Sequence, residues 1–127
     1  MTTTLRATFT VQLTPADPIP GSAARLDLAK TWSGDLTGTS HGTMTTAGDP
    51  ATGDAGYVAT ETFEGAIAGR AGTLTFLQLG TMVGGEPQLS YVIAPGSGTG
   101  QLVGKLGTLS IGDIDEDGNH EVTVQLA

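Results

Sequence analysis

The chain has 127 residues, of which 20 are Gly and 21 Thr, with 5 Lys+Arg against 13 Asp+Glu and no Cys. This length predicts one domain over residues 1–127, and Thr for strands with Gly for turns and bulges predicts an all-β one. A net charge of −8 without a basic cluster argues against nucleic acid and anionic membrane surfaces, and the lack of Cys removes disulfides, thiol nucleophiles and thiolate metal sites. Apolar runs are only a few residues long, and the start Met1-Thr2-Thr3-Thr4-Leu5-Arg6 has no apolar signal core. A cytoplasmic location is therefore the default expectation.

In chain order, Leu5, Ala7, Phe9, Val11 and Leu13 alternate with polar residues and read as a half-buried strand. Three prolines in Pro15–Gly21 end it. A second strand carries Leu26, Leu28 and Trp32 on one side, and Trp32-Ser33-Gly34-Asp35 reads as a turn or bulge. The third, about Leu36 to Thr46, is small and polar, and Gly48–Asp54 is a loop. Tyr57, Ala59, Glu61 and Phe63 share one face of a fourth strand. Arg70, Gly72, Leu74, Phe76 and Gln78 share one face of a fifth. Leu89, Tyr91 and Ile93 mark a sixth, and a seventh is expected from about Thr99 to Ile111. Asp115–Asn119 is a hairpin turn before Val122, Val124 and Leu126. No stretch offers an amphipathic helix. Eight meandering strands fit a closed antiparallel barrel, because closure removes edges that few lysines are present to guard.

Trp32–Gly38, Gly56–Gly65, Gly69–Leu74 and Pro95–Gly104 occur in that order, the last beginning Pro-Gly-Ser-Gly-Thr-Gly. Together they resemble a bacterial family of unknown function whose members have a small barrel similar to allene oxide cyclase. The resemblance covers nearly the whole chain. It implies an eight-stranded barrel, often oligomeric, and no assigned activity. The family pattern usually has Glu after Thr-Gly where this chain has Gln101, which cannot ionise.

Glu61 is the leading catalytic candidate, because alternation places it inside, between Ala59 and Phe63. A carboxyl in apolar surroundings can act as a general acid or base. The structural alternative is an ion pair with Arg70 on the adjoining strand. Tyr91 is a second catalytic candidate. Trp32, Tyr57, Phe63, Arg70, Phe76, Gln78 and Gln101 are the candidate substrate-binding residues, although a plain aromatic core explains most of them equally well. Asp113–Gly118 matches the first six positions of a calcium loop, but position twelve is Val124 and no helix flanks it, so a hairpin turn is the expectation and no metal site is assigned. Pro95–Gly100 lacks the Gly-Lys-Ser/Thr ending of a phosphate loop. His41 and His120 are the only histidines and read as surface or turn residues.

No cofactor is expected. The function expected is binding of a small apolar molecule, with a cofactor-independent isomerase or cyclase as its catalytic form and a non-catalytic binding or structural oligomeric barrel as the alternative. A cavity of several hundred Å³ would favour the binding readings, and a solid core would remove them.

Overall fold

The computed structural model describes residues 2–127. Eight strands close into one antiparallel barrel in sequence order. They are β1 (Thr3–Ala16), β2 (Ala24–Gly34), β3 (Leu36–Asp49), β4 (Asp54–Ile67), β5 (Arg70–Val83), β6 (Glu86–Ile93), β7 (Gly107–Ile114) and β8 (His120–Leu126). Among the described residues helix is limited to 3-10 turns at Pro50–Thr52 and Gly100–Leu102. The expected seventh strand therefore begins later than the alternation suggested. Residues 99–106 form a loop instead, held to β5 by Thr99 N–H on the Thr73 carbonyl at 2.8 Å.

That loop closes one end of the barrel. Leu102 is buried at its tip and packs with Leu5, Leu36, Ile67, Leu74, Ile93, Leu109 and Val124. Gly72 makes room for it, since a Cβ there would collide with the Thr99 carbonyl oxygen. Above this layer the aromatic rings fill the barrel's middle. Trp32 lies 5.0 Å from Phe9, 6.2 Å from Phe63 and 5.7 Å from Phe76 between centroids, and Phe76 meets Tyr91 edge-on at 5.7 Å.

The other end is unlike this one. Inward positions there keep the alternation but lose the burial. Leu13 is 47% exposed and Leu89 41%, and Val11, Leu26, Met44, Tyr57, Ile111 and His120 are half-buried. The wall is also weakest here. β6 and β7 share the single ladder pair Val92↔Thr108, close to the closed end, and β7 is then bulged between Ile111 and Ile114. The fold is thus a barrel plugged at one end, with less buried inward side chains and a thin seam toward the other end, its mouth.

Candidate functional site

Between plug and mouth, three alternating strands place polar side chains into the centre. β2 supplies Lys30, β4 supplies Glu61 and β6 supplies Tyr91, with relative exposures of 5%, 1% and 1%. Lys30 Nζ donates to Glu61 Oε1 at 2.8 Å and to Tyr91 Oη at 3.1 Å, and Tyr91 Oη donates to the same Oε1 at 2.6 Å. The second carboxylate oxygen accepts from Ser40 Oγ of β3 at 2.6 Å, and Ser40 in turn accepts from Trp32 Nε1 at 3.0 Å. Among the described residues, every buried side-chain N or O atom has a partner. The network is therefore fully satisfied, the condition for tolerating a buried ion pair.

Local sequence makes this crossing possible. Gly42 stands opposite Glu61 in the β3–β4 ladder, and a Cβ there would strike the Thr60 carbonyl and Glu61 Cα. Without a side chain at 42, the Glu61 carboxylate lies over β3 and reaches Ser40. The Lys30 ammonium also sits 4.2 Å from the Phe9 ring centroid, which supplies π-electron density on its remaining side.

Burial decides the titration of these groups. It holds the Lys30 amine below the ordinary lysine range, against the opposing pull of the Glu61 carboxylate. It pushes the Tyr91 phenol far above its usual range, and the adjacent Glu61 charge adds to this. Tyr57, which accepts a 2.6 Å hydrogen bond from Gln78 Nε2, is also raised, mainly by desolvation. His120 stacks on Phe9 with centroids 4.7 Å apart and rings 3° from parallel. Desolvation, then the Lys30 charge, lowers its pKa. His120 is thus a half-buried inner-face residue of the mouth and not the surface residue that the sequence suggested.

Of the candidates read from sequence, Glu61, Tyr91, Tyr57 and Gln78 face the interior together. Trp32, Phe63 and Phe76 are present there too, but as packed core at 2%, 0% and 1% exposure. Arg70 is not part of the site. It is exposed at the plugged end, opposite Ile67, whereas Glu61 stands opposite Phe76. The two are therefore separated by about six residues along the strand, or about 20 Å. Gln101 is likewise exposed at the plugged end, where its Oε1 accepts from Ala71 N at 3.0 Å. Lys30 and Ser40 were missed, and Lys30 takes the place given to Arg70. The sequence left open whether the interior is a cavity or a packed core, and the aromatic middle proves packed. Two grooves lie elsewhere, one by Arg6, Ser33 and Glu121 and the other by Thr37, Glu64 and Thr73, and neither is lined by the Lys30–Glu61–Tyr91 set.

Asp115 behaves as a turn residue. Its carboxylate accepts from the backbone N–H groups of Asp117 and Asn119 and from Asn119 Nδ2, and these bonds lower its pKa. Among the described residues no group of three or more His, Cys, Asp or Glu is placed to hold a metal ion. No helix among them is long and apolar enough to cross a membrane. For the expected homo-oligomer, the relevant feature is an outer strip on β4 and β5, where Val58 and Leu79 pair beside Leu77 at 40–52% exposure, and nothing in the structure shows what covers it.

The family described as "Protein of unknown function (DUF3224)" matches residues 5–126. The chain belongs to that family. A crystal structure of another DUF3224 protein, of unknown function, from Shewanella oneidensis MR-1 is 32% identical, with a TM-score of 0.91 over 100% of this chain and 97% of the other. No curated protein matches the sequence. Membership in DUF3224 bears out the family of unknown function expected from the motif blocks. Neither match carries the likeness to allene oxide cyclase.

Proposed function

We propose that the barrel binds one small, mainly apolar molecule in its mouth, above the Lys30–Glu61–Tyr91 set. One observation carries this reading: Leu5, Leu36, Ile67, Leu74, Ile93, Leu102, Leu109 and Val124 are buried toward the plugged end, whereas the inward side chains Leu13 and Leu89 at the other end are 47% and 41% exposed. Apolar side chains directed inward yet left in contact with water are the ordinary lining of a ligand site. The thin β6–β7 seam beside Leu89 and Tyr91 offers a route in. Tyr57, Gln78 and His120 supply polar groups at mouth depth that would orient the ligand's polar end. The packed aromatic middle removes a binding site from the barrel's centre, so this reading rests on the mouth alone, where the inner face is still exposed. An isomerase or cyclase role, as in the barrel of allene oxide cyclase, would use the same mouth with Glu61 or Tyr91 reaching the ligand from below, and it rests on fold analogy alone.

A neutral apolar dye such as Nile red tests this reading, because the net charge of −8 would repel an anionic probe. Native protein should bind it saturably at about one per chain. Leu89→Asp, on the inner face, should abolish binding, and Leu79→Asp, on the outer wall, should not. Equal binding by wild type and Leu89→Asp, or loss only in Leu79→Asp, would overturn the mouth as the site.

A further inference from the structure

We propose that the Lys30 amine forms a reversible imine with a ligand carbonyl, so that the molecules taken by the mouth are small apolar ketones or aldehydes. This rests on the mouth being the binding site and names its chemistry. The argument starts from an anomaly of placement. The chain has only two lysines, Lys30 and Lys105. One of them is 5% exposed in the barrel, with its Nζ against Glu61, Tyr91 and the Phe9 ring. Lysine is among the residues least often buried, and a purely structural cation would be better supplied by arginine, whose planar fork satisfies a carboxylate through two bonds. What lysine can do and arginine cannot is lose its proton and attack carbon.

The neighbours fit each step. Lys30 passes a proton to Glu61 Oε1, 2.8 Å away, and becomes a neutral amine. Burial already favours that form, since it lowers the amine's pKa despite the carboxylate. The nitrogen lone pair adds to the carbonyl carbon, and a C–N bond forms as the π electrons move to oxygen. That oxygen takes a proton from the Tyr91 hydroxyl or from protonated Glu61. Glu61 takes the proton that the nitrogen, positive after the addition, gives up and returns it to the carbinolamine hydroxyl, which leaves as water while the nitrogen lone pair forms the C=N bond. One ammonium and one carbonyl give one iminium ion and one water, with no oxidant or reductant. Ser40 holds the other carboxylate oxygen and is itself held by Trp32 Nε1, so Glu61 stays aimed at the amine while it takes and returns the proton. Tyr91 belongs to β6, one of the two strands that border the thin seam.

The test uses wild-type protein and so does not depend on any variant folding. The protein is incubated with 2-octanone at pH 7, sodium borohydride is added, and the modified residue is located by peptide mapping. Lys105, in the loop before β7, and the terminal amine are internal controls. Trapping at Lys30 should exceed that at Lys105 severalfold, because Glu61 and Tyr91 stand within hydrogen-bond reach of its amine to move the protons and burial favours its free form. In parallel, 2-octanol, which has no carbonyl, is tested for displacement of Nile red. Displacement without preferential trapping at Lys30 would overturn the imine and leave the mouth as a binding site. Neither displacement nor trapping would overturn both.

Discussion

Glu61→Gln tests the central pair most directly. The substitution keeps the shape of the side chain. Its amide oxygen can still accept from Tyr91, and its amide N–H can turn to Ser40, whose hydroxyl oxygen has a second lone pair for it beside the one used by Trp32. What it removes is the charge facing Lys30 at 2.8 Å, and Lys30 is 5% exposed. Breaking a buried pair from one side costs about 3–5 kcal/mol. An independent ceiling agrees with this. Lys30 can escape the penalty by losing its proton, and from the ordinary lysine value of 10.5 that costs about 5 kcal/mol at pH 7, at about 1.4 kcal/mol per pH unit. With an unfolding entropy of about 2.1 cal/mol/K per residue, the loss for a chain of this size corresponds to a fall in melting temperature of about 10–20 °C.

The pH dependence supplies the signature. In the variant, the folded-state pKa of Lys30 drops further below the unfolded value of 10.5, so between the two values the unfolded chain holds the extra proton. Stability therefore rises with pH in that window, and the penalty relative to wild type should shrink from pH 6 to pH 9. Adding Lys30→Met removes the stranded charge and should bring the double variant to within about 1–2 kcal/mol of wild type. Thermal melts followed by circular dichroism at three pH values read all of this. A fall of less than about 3 °C at pH 7, a penalty equal at pH 6 and pH 9, or a double variant less stable than Glu61→Gln would refute the pairing.

Two further expectations follow from the same burial. Both tyrosines are held above the usual phenol range, so the folded protein should show no tyrosinate absorbance near pH 10. The unfolded chain releases its phenol protons there, and stability should fall as pH rises beyond 10, by about 1.4 kcal/mol per pH unit for Tyr91; reversible tyrosinate formation at pH 10.5 with native circular dichroism would contradict it. His120 should titrate below 6.5 by proton NMR and move upward in the Lys30→Met, Glu61→Gln double variant, because the Lys30 charge contributes to its lowering; an unmoved value would place the cause in burial alone.

The barrel and half of its site could be read from alternation. Period two put Glu61 inside between Ala59 and Phe63, and the same rule placed Tyr91, Tyr57 and Gln78 there. It also placed Lys30, since Leu26, Leu28, Lys30 and Trp32 occupy successive inward positions of β2. Lys30 escaped notice because lysine is assumed to lie outside, a rule that holds except where a partner is buried with it. Assigning Arg70 as that partner was an error of register. The tight turn at Ala68-Gly69 pairs Ile67 with Arg70, and counting back from it sets Glu61 against Phe76. Strand adjacency alone does not bring two residues together; turn position does. The loop after Pro95 was less accessible. Its Thr-Gly composition suits a strand, and only the tertiary fit of Leu102 into the barrel end makes it a plug.

The same geometry admits a purely structural role, and the two roles make different predictions. Lys30, Glu61 and Tyr91 come from β2, β4 and β6, and a slip of any one strand by one residue would turn its polar group outward and leave the others buried alone. The pair thus fixes the barrel's register whatever else it does, and that function alone accounts for a large Glu61→Gln penalty. It accounts for neither the apolar inward side chains left uncovered at the mouth nor the use of lysine where arginine would bind the carboxylate by two bonds. A register device would be as well served with the mouth closed and would leave Lys30 no more reactive toward a ketone than Lys105. The melts therefore establish the pair, and the trapping experiment decides whether the pair is there only to hold the barrel.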